Sequence, residues 1–281
     1  MTVRTRDRHD DDFTAPVDLV WLEITGKCQL MCLHCYAESA PAGRHGPMTA
    51  ADWIRVIDQA AACGARKVQF IGGEPTLRPE LPDLVGHAAA AGLRVEITSN
   101  LVRLPARMWT AAALPGVELG TSYYSDDPAE HDAIVGRRGS HARTTATIET
   151  AVARGIPVNA GVIDVRPGQR VEGAEAALRE LGVTRIVVDR LRHFGRGAAG
   201  RPPEVAELCG RCAKDVVAVL PDGSVTPCPM ARWLSFGNVR EFPLATLVRG
   251  TAARRIRAAI GEATTWTANC ASSTQGGGCT P

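Results

Sequence analysis

The chain of 281 residues is 45% hydrophobic and 22% charged, enough apolar material for one large core, or for one domain and a small appendage. A net charge of +2 is too small to argue for a nucleic-acid partner, and no apolar run approaches the roughly 20 residues that cross a bilayer. The start from Met1 to Asp12 is polar and mixed in charge rather than a signal peptide, and nine cysteines, an odd number, argue against a disulfide framework, so a reducing cytoplasm is expected.

Residues 1–17 read as a polar extension before a first strand at 19–25. Directly after it stands Cys28-Gln29-Leu30-Met31-Cys32-Leu33-His34-Cys35, a C-x3-C-x2-C triplet. Three thiolates cannot close a four-iron cluster, so one iron is left open to an exogenous ligand, whereas an ordinary electron-transfer cluster is closed by four cysteines. Zinc is the alternative, but structural zinc sites usually pair C-x2-4-C with a second matched pair, and here the three stand alone. His34 is read as a loop-packing residue, since the three thiolates already suffice.

A helix is predicted from Thr49, where Asp52 completes a capping-box pattern ahead of Trp53, Ile54, Ile57 and Ala61. A second strand at 67–71 runs into Gly72-Gly73-Glu74-Pro75, followed by a helical stretch from Glu80. Alone, this Gly-Gly-Glu-Pro is as compatible with a strand-to-helix turn as with a binding site. Further strands are predicted at 94–98, 117–122, 157–163 and 185–191. Six such β/α units with right-handed crossovers give an α/β fold, a partial (β/α)6 barrel with helices outside. Barrel chemistry sits at the carboxyl ends of strands, where the cysteine loop, residues 72–75, Ser99, Asn100, Ser122 and Asp164 all fall.

With the aromatic Tyr36 beside the third cysteine, the triplet resembles the signature of the radical S-adenosylmethionine (SAM) enzymes. Gly72, Gly73, Glu74 and Pro75 are similar to that family's second motif, whose backbone holds the methionine amino group of SAM. The resemblance implies a [4Fe-4S] cluster on Cys28, Cys32 and Cys35 that chelates SAM. It also implies an external one-electron reductant such as flavodoxin or ferredoxin, and a 5'-deoxyadenosyl radical that takes hydrogen from an unactivated C–H. Ser99, Asn100 and Ser122 are the expected SAM contacts, although each could instead cap a following helix. Where relatives carry Ser-Leu-Asp-Gly and His-Asp-x-x-Arg-Gly, this chain has Ser122-Tyr123-Tyr124-Ser125 and His131-Asp132-Ala133-Ile134-Val135-Gly136. Val135 thus replaces the usual arginine, unless Arg137 or Arg138 supplies that contact.

At the sixth strand's end Asp189, Arg190, Arg192 and His193 form a polar cluster that reads either as substrate-binding or as surface ion pairing. Gly195-Arg196-Gly197 and residues 200–203 read as a linker, dividing a barrel over 18–200 from a cysteine-rich module over 201–281. In that module Cys212, Gly223 and Cys228 match the opening of the SPASM and twitch extensions of radical SAM enzymes, with a hairpin turning at 221–224. The resemblance implies an auxiliary [4Fe-4S] cluster on Cys212, Cys228, Cys270 and Cys279; a zinc knuckle or a metal-free module is the alternative.

Three thiols for one cluster and four for another leave two of nine. Cys63 reads as a buried, inert residue closing a helix. Cys209 is the second, although Cys209 and Cys212 could both be ligands and leave Cys270 or Cys279 over. A free thiol near the barrel mouth could return a hydrogen atom to a substrate radical. The expectation is therefore an epimerase acting on a small natural product such as an aminoglycoside or cyclitol, similar to the epimerase of neomycin-type aminoglycosides. A dehydrogenase of the same substrates and a maturase of ribosomal peptides are the alternatives. Fewer than 20 residues before the first strand leave no room for a winged-helix leader-binding domain, which favours the small molecule. An iron-sulfur carrier or redox sensor would explain the cysteines but neither residues 72–75 nor the barrel pattern.

Overall fold

The computed structural model describes residues 17–264, so the extension before Val17 and both Cys270 and Cys279 lie outside the described residues. All six predicted strands form: β1 (Leu19–Glu23), β2 (Lys67–Ile71), β3 (Arg94–Thr98), β4 (Val117–Ser122), β5 (Val158–Asp164) and β6 (Arg185–Arg190). They pair in parallel, each with its neighbour in sequence. The crossovers carry α1 (Ala50–Ala62), α2 (Leu81–Ala90), α3 (Ala106–Ala112), the pair α4 (Pro128–Val135) and α5 (Ser140–Ala153), and α6 (Val171–Glu180).

Strand alternation divides the interior into two regions. Val20, Leu22, Val68, Phe70, Val95 and Ile97 face the helices and pack with Trp53, Ile57, Leu84 and Val85 in the main core, which Cys63 also joins. The other face is polar at its base. Lys67, buried, pairs with Glu96 and Glu118, and Gln69 Nε2 donates to Thr98 Oγ1 at 2.7 Å. Helix α1 starts as its sequence predicts, with Thr49 Oγ1 accepting from Asp52 N–H and Asp52 Oδ2 from Thr49 N–H, at 3.2 and 2.9 Å.

After β6 the chain adds β7 (Val216–Val219), β8 (Ser224–Thr226), β9 (Gly237–Asn238), α7 (Leu244–Arg249) and α8 (Thr251–Ala263). The predicted hairpin is β7–β8, and β7 also pairs in parallel with β1, Leu19 opposite Val216. The cysteine-rich region therefore continues the barrel sheet, whose order is β6-β5-β4-β3-β2-β1-β7-β8-β9. Of the residues read as a linker, 200–203 are exposed and carry no helix or strand, whereas 195–197 are packed. Gly195–Ala198 is a 3-10 turn packed onto the cysteine loop, and a Cβ at Gly195 would run into the Tyr36 and Cys35 carbonyls. Among the described residues no helix is long and apolar enough to cross a membrane.

Candidate active site

At the carboxyl ends of the strands a cavity open to solvent is lined by residues from β1's following loop round to β6. The cysteine loop forms one wall. Met31 N–H donates to the Val135 carbonyl and Leu33 N–H to that of Ile134, both at 3.1 Å, tying this segment to the end of α4 before it turns at Leu33-His34. Leu30, Cys32 and His34 face the cavity, and Met31 and Leu33 face away. Cys28 and Cys35 complete the triplet on the same wall.

The opposite end of the loop is strapped by the turn after β6. Arg196 donates through Nε to the Cys32 carbonyl at 2.7 Å and through a terminal nitrogen to that of Ser39 at 2.9 Å, and its own N–H bonds to the Cys35 carbonyl. No local pattern marks this arginine, because its partners lie some 160 residues back in the chain.

These residues fit an iron-sulfur cluster. Three thiols share one cavity wall, and Cys28 Sγ accepts from the Leu30 N–H at 3.4 Å and from Asn100 Nδ2 at 3.8 Å, the hydrogen bonding that tunes such clusters. Burial pushes the thiols of Cys28 and Cys32 up to about 12, so without a cationic centre they stay protonated.

Gly72 and Gly73 line the cavity because nothing larger fits: a Cβ at Gly72 would stand 2.6 Å from the Thr25 carbonyl oxygen, and one at Gly73 would run into the Lys27 carbonyl. Glu74 turns the other way. Its buried carboxylate accepts from Thr76 N–H and hydroxyl (3.0 and 2.6 Å), from the Ser99 hydroxyl (2.8 Å) and from Asn100 N–H (2.8 Å). Burial is the largest influence on this carboxyl and raises it, against the four donors. Pro75 is buried in the turn and, like Glu74, is not part of the cavity wall.

Ser99, Asn100, Ser122 and Tyr36 do line the cavity. Ser99 is committed to Glu74 and to Leu101 N–H, and Leu101 holds a φ of +53°, uncommon outside glycine. Asn100 binds Gln29 as well as Cys28, while Ser122 hydrogen-bonds to the Tyr124 hydroxyl. Arg137 donates to the Gln29 carbonyl and does not reach the cavity, nor does Arg138. Asp189, Arg190 and Arg192 both line the cavity and are ion-paired, Arg192 with Asp189 at 3.0 Å and Arg190 with Glu207 at 3.3 Å; His193 joins Glu207 outside.

Sequence reasoning missed the aromatic wall. Tyr124 is buried, its hydroxyl 2.9 Å from His34 Nε2, and His131 packs against Tyr123, Tyr124 and His141. Burial pushes His131 down to about 4, so the folded protein holds it neutral. Stability from this group is fully present above the ordinary histidine value near 6.5 and is lost as pH falls toward about 4. The expected loss is on the order of 3 kcal/mol, seen in urea midpoints across that range. A His131→Asn variant keeps an acceptor for the Tyr124 N–H and should lose this share of the acid sensitivity; an unchanged pH profile would refute the assignment.

The remaining described cysteines fall in two places, Cys63 in the helix-side core and three others together. Cys209 does not line the cavity, where the described cysteines are Cys28, Cys32 and Cys35. The buried Cys212 thiol hydrogen-bonds to both Cys209 and Cys228, gathering three sulfurs on the far side of Tyr36 and Trp21 from the main core. Cys209 is thus the third member of a second thiol set, and it lines an adjoining pocket with Asp164, Asp189, Arg190 and Arg192 at the strand ends. Among the described residues no three cysteine, histidine or acidic groups close around a single metal ion.

The pattern of the radical SAM superfamily matches residues 22–181, and that of SPASM, an iron-sulfur cluster-binding domain, matches 201–272. A PqqA peptide cyclase of Xanthomonas campestris is 36% identical over 191 residues, which are 67% of this chain and 51% of the relative, so the chain matches about half the length of such relatives. The structure of Streptococcus suis SuiB bound to precursor peptide SuiA superposes with a TM-score of 0.72 at 16% identity, covering 87% of this chain and 67% of that one. BtrN in complex with AdoMet and 2-DOIA gives 0.54 at 16%, covering 89% of each. The likeness to an aminoglycoside epimerase expected from the sequence is not what these relatives show. The chain belongs to the radical SAM superfamily, and it carries the three-cysteine [4Fe-4S] and SAM site of that family together with an SPASM iron-sulfur module.

Proposed function

We propose that the chain modifies a peptide, closing a new bond between two of its side chains, with residues 18–200 as the catalytic barrel and 201–281 as the auxiliary module. The observation that carries this reading is the hydrogen bonding of Cys212 to both Cys209 and Cys228, which makes Cys209 one of a set of thiols rather than a lone donor. Epimerisation needs a hydrogen donor at the substrate. Ring closure between two C–H positions instead removes two hydrogens, one as an atom and one as a proton and an electron, and the electron needs an acceptor. An iron-sulfur cluster held by the second thiol set would supply that acceptor. The relation to PqqA peptide cyclases supports the same choice of substrate class.

When bound, the cluster with SAM supplies the radical that takes the first hydrogen. The protein's own residues hold and shield it. Arg196 and the α4 end fix the cysteine loop, Gly72 and Gly73 let the backbone approach, and Glu74 locks Ser99 and Asn100 beside Cys28. Tyr124, Leu30, Val135 and Ile163 give the cavity apolar walls that exclude water, while Asp189, Arg190 and Arg192 stand at its β6 side to meet polar groups of a peptide.

Anaerobic incubation with SAM, dithionite and the PqqA peptide of Xanthomonas campestris should yield 5'-deoxyadenosine and a peptide lighter by two hydrogens. Turnover of an aminoglycoside without mass loss, and none of the peptide, would overturn the reading. A Cys209→Ala variant is expected to lose iron and closed product while still cleaving SAM. A variant with full iron content and loss only of deuterium uptake from heavy water would restore Cys209 as a hydrogen donor.

A further inference from the structure

A file of polar side chains inside the barrel has no part in holding the cysteine loop. Thr98 lines the cavity, and below it on the same face of the sheet stand Gln69, Glu96, Lys67 and Glu118. Gln69 Nε2 donates to Thr98 Oγ1 at 2.7 Å and to Glu96 Oε1 at 3.2 Å, so one amide holds both oxygens. Gly120 keeps the gap between them open: a Cβ there would stand 2.5 Å from Glu96 Oε1 and 3.0 Å from Thr98 Oγ1. Thr98 accepts from Gln69 and so keeps its own hydroxyl hydrogen to donate. Beside this file Trp21 stands opposite Gln69 in register, and Trp21 Nε1 and Gln69 Oε1, a donor and an acceptor, are both buried without a partner among the described residues. Groups so placed are where interiors hold a bridging water.

At the base two carboxylates share one ammonium. Lys67 pairs with Glu96 and, at 2.6 Å, with Glu118, and Arg185 of β6 adds positive charge near both. Burial, the largest influence on Glu96, raises its carboxyl against the pull of Lys67. Burial also raises Glu118, but the Lys67 hydrogen bond and charge outweigh it and hold that carboxyl below the ordinary value. Two acids driven apart in this way are suited to separate tasks, one taking a proton and one standing ionised. Glu96 is almost fully buried under the cavity, whereas the Glu118 side chain is 24% exposed at the base, which opens that end to solvent.

We propose that Thr98 and Glu96 take up the proton that ring closure releases in the cavity. After the new bond forms, the joined peptide carries one unpaired electron. That electron leaves for an iron-sulfur centre on Cys209, Cys212 and Cys228, which is reduced by one. A C–H bond at the closed position then breaks, its electron pair stays in the product, and its proton passes through the Thr98 hydroxyl and a bridging water to the Glu96 carboxylate. Glu96 later returns the proton to solvent on the Glu118 side. Thr98 meets the substrate, and Glu96 acts through it. The inference rests on the ring-closure reading, because closure is what releases the proton.

The test compares Thr98→Val, Thr98→Ser and Glu96→Gln with the wild type in the full chain carrying its clusters. Infrared difference spectra follow the protonated Glu96 carboxyl, identified by the band that Glu96→Gln lacks, and its exchange on transfer to heavy water. Without any peptide, this exchange should be slower in Thr98→Val than in wild type and recover in Thr98→Ser. With the PqqA peptide, Thr98→Val and Glu96→Gln should form 5'-deoxyadenosine as wild type does but closed product at least about tenfold more slowly, Thr98→Ser recovering. Closure by wild type should also slow as pH falls through the titration of the Glu96 band, and Glu96→Gln should lose that dependence. Closure by Glu96→Gln at the wild-type rate would overturn the proposal, as would exchange in Thr98→Val as fast as in wild type. A fall in 5'-deoxyadenosine parallel to that in product would also overturn it, by showing a merely structural defect of the cavity. Failure of the peptide reading is separate: wild type then closes no peptide, and the exchange measurement still decides whether Thr98 leads to Glu96.

Discussion

A Cys32→Ala variant is expected to lose SAM cleavage to background while keeping about half its iron, and a Cys212→Ala variant to show the reverse, losing iron but still forming 5'-deoxyadenosine. The two thiol sets stand on different elements: Cys32 lines the cavity, and Cys212 lies buried with Cys209 and Cys228. Removing Cys32 from the first set leaves only Cys35 and the buried Cys28, whose thiol is pushed up to about 12, and two thiols cannot hold a four-iron cluster. Removing Cys212 leaves the cavity wall untouched. Cys63→Ala is the control, because Cys63 packs in the helix-side core, and its loss should lower stability by ~1–2 kcal/mol without changing iron or sulfide. Iron and acid-labile sulfide assays with product counts decide the matter. If Cys32→Ala still cleaves SAM, the assignment of the open cluster to this loop fails.

The second large effect is expected at Glu74. Alanine there strands the N–H groups of Thr76 and Asn100 and frees two hydroxyls in a fully buried spot. Each stranded buried donor costs about 1–3 kcal/mol, so a loss of about 3–5 kcal/mol is expected, a fall in Tm of roughly 10 °C. The consequence reaches the cavity. Asn100 is held between Glu74 and Cys28, and Gly73 shares the turn, so SAM affinity should fall at least tenfold by equilibrium dialysis. Glu74→Gln, which keeps one acceptor oxygen, should lose about half as much stability. A Glu74→Ala protein with wild-type Tm and weakened SAM binding would instead place this carboxylate in contact with the ligand.

The barrel was legible because its signals are local. Apolar, β-branched runs mark β1 to β6 within a residue or two, Thr49 and Asp52 mark the start of α1, and the cysteine triplet carries its chemistry in its spacing. The Gly-Gly-Glu-Pro stretch was legible as a site only in part: its glycines line the cavity, but the direction of Glu74 depends on β3, which sequence spacing does not reveal. Features made by distant segments stayed hidden. Arg196 looked like part of a glycine-rich linker, the parallel pairing of β7 with β1 has no local signature, and the grouping of Cys209 with Cys228 depends on the β7–β8 hairpin's setting. An arithmetic of thiols could not say which was spare, and what tells against the epimerase reading is the likeness to PqqA peptide cyclases.

The strap on the cysteine loop has a bearing on how the protein is made. A nascent chain exposes its first three thiols on the ribosome long before residue 196 emerges, yet Arg196 supplies the bonds that hold Cys32 and Ser39 in place. Until that arginine docks, the loop lacks the anchor at its Ser39 end. The three thiols are thus presented by a loop whose setting depends on a residue made only after the sixth barrel strand, so a chain stopped short of Arg196 is expected to hold them less firmly.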